Sequence, residues 1–259
     1  MTHFEHVKRL LPLYNYNLKS PHTKMIIAVS HQVRMDLIEF LGLEPEKITV
    51  IPNGVELDEY HPRVREQRRE DMLVNLGVNP DDFLILFVGD DLDCKGLIRA
   101  LRALELIRES NAVLMVVGGF PEQLVHYRDY ASSRKLNARV IFAGTQYDME
   151  PIYARADALV LPTFYDSFGL VLLEAMAFGI PVVSSPGAGF AKDAIADRKN
   201  GFIGESPEQI AAVVEELIND VGLRSEVGRN ARSTAEKYSW DQVAGRTLEV
   251  YEKVVNDNG

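Results

Sequence analysis

Short apolar runs alternate with amphipathic segments over most of the chain. The run Phe83–Val88 contains no polar residue, as is typical of a parallel strand that is covered on both faces. The strands predicted after residue 80 are Phe83–Val88, Ala112–Val117, Arg139–Ala143, Ala158–Leu161, Pro181–Ser184 and Gly201–Ile203. Helical segments separate these strands, among them one that follows Gly96 and ends near Glu109 and one over Ala191–Ala196, and a helix over Pro207–Asn219 follows the last strand. The pattern therefore predicts an α/β fold built on a doubly wound parallel sheet with right-handed crossovers.

The first 56 residues predict less than a complete domain. Two short strands, Met25–Ser30 and Lys47–Ile51, enclose a helix over His31–Leu41 that ends at Gly42. A basic amphipathic helix over residues 4–18 comes before them, and it either packs on the protein or lies on a membrane surface. We expect residues 1–56 to be the remnant of an N-terminal domain, 57–80 a linker with a helix over Arg63–Leu76, 81–238 the main domain and 239–259 a C-terminal helix.

Composition and charge narrow the class of function. The 259 residues carry a net charge of -10 and have a pI near 5.1, which argues against a general nucleic-acid binder. The single cysteine, Cys94, excludes an internal disulfide and a cysteine-based zinc site, and the six histidines lack metal-ligand spacing. No apolar run reaches the length of a membrane span, and the first 24 residues do not resemble a signal peptide. The sequence predicts a cytoplasmic protein, with the basic N-terminal helix as a candidate contact with the inner face of the membrane.

The segment Thr163–Ser185 contains the most informative polar residues. It predicts the end of a strand, a loop, a helix over Phe168–Phe178 and another strand, with the Ser167 hydroxyl capping the helix. Glu174 interrupts an otherwise apolar helix. A lone carboxylate in such a helix is costly unless it is paired or faces a polar cleft.

Two carboxylates flank the start of this predicted helix. Asp166 lies in the loop, Glu174 lies eight residues later, and backbone N–H groups of Phe168, Gly169 and Leu170 come between them. A helix N-terminus binds anions, and carboxylates accept hydrogen bonds from hydroxyl groups. The segment therefore predicts a site for a ligand with both phosphate and hydroxyl groups, such as a nucleotide sugar. The alternative is a buried crossover helix with one surface glutamate.

Glycine-rich loops follow several of the predicted strands. The loop Gly89–Gly96 places Lys95 near a helix N-terminus, where a cation is unfavourable unless an anion lies between them. A solvated Lys95 balanced by the aspartates of its own loop explains the sequence equally well. Those aspartates are Asp90, Asp91 and Asp93. The loop 89–96 has neither P-loop nor G-x-G-x-x-G spacing. The loops at Gly118-Gly119, Gly144-Thr145 and Pro186–Gly189 either turn the chain or contact a ligand.

The order of these motifs resembles retaining glycosyltransferase family 4. The matching segments are I-A-V-S (27–30), V-I-P-N-G-V-E (50–56), F-V-G…K-G (87–96), V-V-G-G (116–119), F-A-G (142–144) and D-S-F-G-L-V-L-L-E-A-M-A-F-G-I-P-V-V (166–183). The resemblance covers roughly residues 25–255 and implies the GT-B fold of two Rossmann-like domains. It identifies 81–238 as the donor-binding domain, and the final helix as one that crosses back to the acceptor-binding domain. The loop 89–96 and T-F-Y-D-S-F-G look similar to lipopolysaccharide-core glucosyltransferases.

The resemblance also implies roles for individual residues. Asp166 would contact hydroxyls of the donor sugar, Glu174 the ribose hydroxyls, and Lys95 the departing diphosphate. The implied catalytic residues are Lys95 and Asp166, with no metal and no cofactor. The implied donor-binding residues are Gly89, Lys95, Gly118, Gly144, Thr145, Asp166, Phe168, Gly169, Leu170 and Glu174. This chain departs from the family in having Asp rather than Glu at 166, and Asp90 where a second cation is usual.

The expected function is the transfer of a sugar from a nucleotide sugar, with a UDP-sugar as the preferred candidate, to a glycan or lipid-linked acceptor with retention. A non-catalytic alternative is a nucleotide-sugar-binding subunit that pairs with a separate acceptor-domain chain or with a second copy of itself. A nucleotide-sugar epimerase is a third hypothesis, but the chain lacks the acid–base residues expected of one. No nucleic-acid partner is expected.

Overall fold

The computed structural model describes residues 17–63 and 77–256. The described residues form two compact units, one made of 17–54 with 238–256 and the other of 55–63 with 77–237. The helices predicted over 4–18 and Arg63–Leu76 lie outside the described residues except at their ends.

Eight strands and nine α-helices alternate along the described part of the chain. The strands are β1 (Ile26–Ala28), β2 (Ile48–Val50), β3 (Phe83–Gly89), β4 (Ala112–Gly118), β5 (Val140–Gly144), β6 (Ala158–Leu161), β7 (Val182–Ser184) and β8 (Phe202–Ile203). The helices are α1 (His31–Leu41), α2 (Leu97–Leu106), α3 (Pro121–Ser133), α4 (Glu150–Arg155), α5 (Leu170–Ala177), α6 (Gly189–Ala194), α7 (Pro207–Asn219), α8 (Val221–Ala235) and α9 (Trp240–Asn256). None of the described helices is both long and apolar enough to cross a membrane.

The first unit contains a two-stranded parallel sheet and two of the helices. β1 pairs with β2 in parallel, and α1 connects them. The Ser30 hydroxyl caps α1 by accepting the Val33 N–H, and Gly42 ends the helix in the left-handed conformation, as the sequence predicts. α9 belongs to this unit, where the Arg246 guanidinium donates to the Val50 carbonyl at 2.7 Å.

The second unit contains a six-stranded sheet in the order β5-β4-β3-β6-β7-β8, with every pair parallel. The predicted α/β fold with a doubly wound parallel sheet is confirmed. The chain runs from β3 outward to β5 and then returns to the other side of β3 to form β6. Ligands of such sheets bind beyond the carboxyl ends of the strands, where the strand order reverses. In this chain the reversal lies between β3 and β6.

A buried ion pair fixes the two strands at this reversal. Arg155, at the end of α4, pairs with Asp157 at 2.8 Å, and both side chains are almost fully buried. Arg155 also donates to the Asp82 carbonyl at 2.7 Å, while the Asp157 carboxylate accepts the Leu84 N–H at 3.0 Å. Because Asp82 and Leu84 lie at the start of β3, these bonds hold β3 beside β6.

Most predicted elements are observed with small shifts of their ends. α7 has the predicted bounds, Pro207–Asn219. The helix predicted over Ala191–Ala196 begins earlier, at Gly189. The helix after the 89–96 loop ends at Leu106 rather than near Glu109, and the Glu109 carbonyl instead accepts a hydrogen bond from Arg139.

A glycine allows α5 and α8 to approach each other closely. A Cβ at Gly228 of α8 would clash with the carbonyl oxygen of Gly179, which follows α5. We expect Gly228→Ala to lower the free energy of unfolding by about 1–2 kcal/mol, because overpacking outweighs the gain in helix propensity. Urea unfolding measures the change.

Gly245→Ala in α9 is the matched control for this prediction. A Cβ at Gly245 meets nothing within 4 Å, so we expect the helix to gain about 0.5–1 kcal/mol from the substitution. Equal denaturant midpoints for Gly228→Ala and the parent chain would contradict the predicted clash.

Candidate functional site

Two loops meet at the carboxyl ends of β3 and β6. One runs over 90–96 after β3, and the other over 162–169 after β6. The Cys94 carbonyl accepts the Phe164 N–H and the Thr163 hydroxyl, both at 2.9 Å. These bonds cross the point where the strand order reverses, so the two loops form one continuous wall.

An ion pair joins side chains from these two loops. Lys95 Nζ lies 2.5 Å from Asp166 Oδ2, and the two side chains are only 20% and 13% exposed. The sequence placed both residues at this edge but left the partner of Lys95 open. The structure brings together the two residues that the family resemblance implied to be catalytic.

The aspartates of the 89–96 loop have other hydrogen-bond donors. Asp91 Oδ1 accepts a hydrogen bond from Gln123 at 2.9 Å, and Asp93 Oδ1 accepts one from the Tyr127 hydroxyl at 2.5 Å. Asp90 accepts the Asp91 N–H at 2.8 Å. The alternative of a solvated Lys95 is not what the structure shows, because Lys95 pairs with Asp166, while the three aspartates stabilise the loop and its contact with α3.

Backbone pairing holds Asp166 in place. Its N–H donates to the Gly187 carbonyl at 2.8 Å, and its carbonyl accepts the Gly189 N–H at 3.0 Å. The loop over Pro186–Gly189 therefore serves to position Asp166. Asp166 Oδ1 also accepts the Phe168 N–H at 3.2 Å.

The start of α5 differs from the prediction. The helix begins at Leu170, with Gly169 at its N-cap in the left-handed conformation (φ 94°) and no side-chain cap. The prediction that Ser167 caps a helix starting at Phe168 is wrong, because Asp166 takes the Phe168 N–H and the chain turns at Gly169. Within residues 17–63 and 77–256, the N–H groups of Gly169 and Leu170 have no hydrogen-bond acceptor. Two amides rather than three are thus available to an anion.

Three glycines end neighbouring strands at the same edge. Gly89 and Gly118 are direct neighbours in the register of β3 and β4, and Gly144 ends β5. A Cβ on Gly89 would lie 2.6 Å from the Lys95 side chain, so glycine there leaves room for Lys95. Thr145 follows Gly144 and is exposed. Gly144 and Thr145 lie two strands away from the ion pair, at the same edge of the sheet.

Glu174 lies on α5 and is paired with a tyrosine. The Tyr153 hydroxyl donates to Glu174 Oε2 at 2.6 Å, and Tyr153 is fully buried. Burial raises the pKa of Glu174, the Tyr153 hydrogen bond lowers it and the charge of Glu59 raises it, with a net increase. Sequence reasoning missed Tyr153, because nothing in the short helix α4 distinguishes this aromatic residue from ordinary core.

The raised pKa of Glu174 predicts a pH-dependent effect on stability. An acid whose pKa is higher in the folded state stabilises that state below its unfolded pKa, and this contribution is lost as the pH rises through the folded pKa. Glu174→Gln does not titrate. We therefore expect this variant to have a higher free energy of unfolding than the parent at neutral pH, with the difference shrinking as the solution becomes acidic.

Urea unfolding of both proteins across acidic to neutral pH measures this difference. A Glu174→Gln variant that is less stable than the parent at neutral pH, and becomes relatively more stable in acid, would contradict the assigned direction of the pKa shift.

The chain matches two families of known proteins. Residues 68–234 match the family described as Glycosyl transferases group 1, and residues 3–59 match the family described as Glycosyltransferase Family 4. The first match covers more than half of the chain. The family predicted from the sequence motifs is therefore confirmed.

Curated relatives include glycosyltransferases from archaea and bacteria. An uncharacterized glycosyltransferase of Methanocaldococcus jannaschii is 31% identical over 231 residues, covering 87% of this chain and 59% of the relative. A D-inositol 3-phosphate glycosyltransferase of Paenarthrobacter aurescens is 32% identical over 232 residues, covering 85% of this chain and 55% of the relative. The chain thus spans between half and three-fifths of the length of these relatives.

Solved structures with the same fold are also glycosyltransferases. Anabaena HepE in complex with UDP and glucose superposes with a TM-score of 0.83 at 22% identity, covering 95% of this chain and 66% of that one. WaaG, a glycosyltransferase involved in lipopolysaccharide biosynthesis, has a TM-score of 0.75 at 25% identity, covering 94% of this chain and 71% of that one. With the predicted sheet topology and the matched motifs, these findings show that the chain belongs to the group 1 glycosyl transferases, with a GT-B-type fold.

Proposed function

We propose that this chain forms the donor-binding part of a retaining glycosyltransferase that takes its sugar from a UDP-sugar. The observation that carries the proposal is the Lys95–Asp166 ion pair, which lies where the strand order of the sheet reverses. This is the position at which doubly wound sheets bind nucleotides. Free amides of Gly169 and Leu170 at the start of α5 lie next to it in the chain.

Lys95 and Asp166 have complementary roles in this proposal. The Lys95 ammonium has three protons, so it can keep one hydrogen bond to Asp166 and donate another to a diphosphate oxygen. Asp166 accepts a hydrogen bond from a hydroxyl of the donor sugar, and Glu174 accepts hydrogen bonds from the ribose hydroxyls. The diphosphate binds between the Lys95 cation and the amides of Gly169 and Leu170, and no carboxylate of residues 17–63 or 77–256 accepts a hydrogen bond from either amide.

The transfer itself exchanges one C–O bond for another. The bond from the anomeric carbon to the diphosphate oxygen breaks, and the oxygen leaves with the electron pair. An acceptor hydroxyl then forms the new bond on the same face, and its proton passes to the departing diphosphate. Lys95 stabilises the negative charge that develops on the leaving group, which is the kind of interaction that accelerates group transfer most.

Properties of related proteins support the choice of donor and leave the acceptor as a proposal. HepE, which has the same fold, binds UDP and glucose. A relative that is 32% identical to this chain over 232 aligned residues is a D-inositol 3-phosphate glycosyltransferase. We propose a glycan or lipid-linked acceptor for this chain, bound with the participation of residues outside the donor-binding domain 81–238.

Two departures from the family pattern have local explanations. Asp166 is one methylene shorter than the usual glutamate, and its backbone bonds to Gly187 and Gly189 fix the position from which it reaches the sugar. Asp90 replaces a cation but turns its carboxylate to the Asp91 N–H. Lys95 is therefore the cation that the 89–96 loop offers to the diphosphate.

A thermal-shift screen of UDP-, GDP- and ADP-sugars tests the proposed donor. A ligand that binds only the folded state raises the unfolding temperature, and the rise grows with the logarithm of the ligand concentration divided by its dissociation constant. We expect a UDP-sugar to give the largest rise. A larger rise in unfolding temperature with a GDP- or ADP-sugar would show that the donor carries guanine or adenine rather than uracil. An unchanged unfolding temperature with all three donors would contradict the donor-binding role.

Exposed apolar side chains favour a second candidate function, a non-catalytic subunit that binds nucleotide sugar and pairs with another chain. Phe40 on α1 is 60% exposed, and Leu248 and Tyr251 on α9 are 56% and 63% exposed. Where such side chains form a contiguous patch, they are typical of a surface that contacts a protein partner. An acceptor-domain chain or a second copy of this chain would cover them.

Light scattering combined with a donor-turnover assay separates the two candidates. A stable complex that is required for turnover supports the subunit hypothesis. A monomer that transfers sugar without a partner would exclude it.

A further inference from the structure

A buried tyrosine connects the two helices that flank β6. Tyr153 lies on α4, immediately before β6, and Glu174 lies on α5, which follows it. The Tyr153 side chain is completely enclosed, and its hydroxyl donates to Glu174 Oε2 at 2.6 Å. Because the ring is fully buried, its hydroxyl is held at one point and fixes the carboxylate oxygen that it contacts.

Two further aromatic rings hold Tyr153 in place. Its ring stacks on Phe178, with 5.6 Å between the ring centroids. The Tyr60 ring makes T-shaped contacts with Tyr153 and Phe178, with centroid distances of 6.0 and 5.4 Å. Tyr60 is itself anchored, since the Arg232 guanidinium donates to its carbonyl at 2.7 Å. Such pairs of rings are attractive beyond their buried area, so this cluster of rings resists a change in the Tyr153 rotamer.

The arrangement leaves one oxygen of Glu174 for a ligand. Among residues 17–63 and 77–256, the Tyr153 hydroxyl is the one hydrogen-bond partner of this carboxylate, and it uses Oε2. Glu174 is partly buried, and its Oε1 atom is not among the buried side-chain atoms that lack a hydrogen-bond partner, so Oε1 is accessible. A carboxylate that is held by one oxygen and open at the other is suited to accept a hydroxyl group in a defined direction.

We propose that Tyr153 is a positioning residue for the donor nucleotide. The Tyr153 hydroxyl holds Glu174 Oε2, so that Oε1 accepts hydrogen bonds from the ribose hydroxyls in a single geometry. The inference rests on the proposed function, since it deepens the role of Glu174 in binding a nucleotide sugar. Tyr153 itself does not touch the ligand in this arrangement. Its effect on binding passes entirely through Glu174.

The hydrogen bond also affects the charge of Glu174. Burial raises the pKa of this carboxyl, the bond from Tyr153 lowers it, and Glu59 raises it. The other neighbours are Tyr60, which stays neutral because its own pKa is raised to about 12, and Arg232 on α8, which contacts the Ala177 carbonyl at the end of α5. Removing the Tyr153 hydroxyl therefore raises the pKa of Glu174 further, so the ionised carboxylate is lost at a higher pH.

Calorimetric titration of UDP against the full chain tests this inference with Tyr153→Phe, Glu174→Ala and the double variant. We expect Tyr153→Phe to lower the affinity for UDP by about fivefold and to move the loss of affinity in acid to a higher pH. In the Glu174→Ala background, the same change alters affinity by less than about twofold, because the two residues act as one unit.

Tyr130→Phe is the matched control. Its hydroxyl donates to an exposed glutamate, Glu105, at 2.9 Å, so we expect parent affinity and the parent pH profile. An unchanged affinity in Tyr153→Phe, a loss that is equal at every pH, or the same loss in the Glu174→Ala background would each overturn the positioning role.

These results also separate the inference from the proposed function. If Glu174→Ala weakens UDP binding and Tyr153→Phe does not, the inference alone fails. If the parent chain does not bind UDP, or Glu174→Ala binds it with parent affinity, the assignment of Glu174 to the ribose fails and the inference fails with it.

Discussion

We expect the Lys95→Met variant to transfer sugar, or to hydrolyse a UDP-sugar, about 10²- to 10³-fold more slowly than the parent protein. A rate loss of this size is usual when an enzyme loses one preorganised group that stabilises developing negative charge. Lys95 Nζ pairs with Asp166 at 2.5 Å in a mostly buried setting. Its removal therefore takes away the cation of the diphosphate and leaves the partly buried Asp166 carboxylate without its ion-pair partner. Initial rates with the complete enzyme and a UDP-sugar measure the effect.

The same variant makes a prediction that needs no acceptor. Because Lys95 is assigned to the diphosphate, its loss weakens binding of UDP but leaves binding of uridine unchanged. Lys199→Met, which changes an exposed lysine, is the control. We expect this variant to have the same ratio of UDP affinity to uridine affinity as the parent protein. A Lys95→Met variant that keeps that ratio would show that the diphosphate binds elsewhere.

We expect Glu174→Ala to bind UDP about 10- to 100-fold more weakly than the parent chain, because hydrogen bonds to a charged acceptor are lost and a buried donor is left unpaired. The unpaired donor is the Tyr153 hydroxyl, which has Glu174 Oε2 as its acceptor. Calorimetry with UDP and with uridine measures the loss. Both ligands carry the ribose, so Glu174→Ala weakens the binding of both. Lys95→Met, in contrast, weakens the binding of UDP alone.

A glutamate with a comparable tyrosine contact provides the control for this prediction. Glu105 accepts a hydrogen bond from Tyr130, but that pair is exposed. We expect Glu105→Ala to bind UDP as the parent does. Loss of UDP binding with full uridine binding in Glu174→Ala would assign the residue to the phosphate side of the ligand and refute the ribose role.

The sequence was sufficient to predict the sheet but not the contacts within the site. Strands such as β3 are apolar along their whole length because both of their faces are covered, and that composition is visible in the chain itself. The position of the site followed from it, since the carboxyl ends of parallel strands lie at one edge. Lys95 and Asp166, which are 71 residues apart, could be placed at this edge but not paired, because pairing depends on how the two loops pack.

The errors in the prediction also come from tertiary contacts. Ser167 is a good capping residue by composition, yet the pairing of Asp166 with the 186–189 loop moves the helix start to Leu170. The partner of Glu174 could not be predicted for the same reason. Tyr153 resembles any aromatic core residue in the sequence, and only the packing of α4 against α5 brings its hydroxyl to the carboxylate.

We infer that the diphosphate of a nucleotide sugar binds at the edge of the sheet between β3 and β6. A crystal structure of the chain with UDP would show where the ligand lies. We expect a diphosphate beside Lys95 Nζ and the amides of Gly169 and Leu170, with a ribose hydroxyl within about 3.2 Å of Glu174 Oε1. Binding of UDP at another surface would contradict this site. So would a complex in which the ribose does not contact Glu174 and the diphosphate lies away from Lys95.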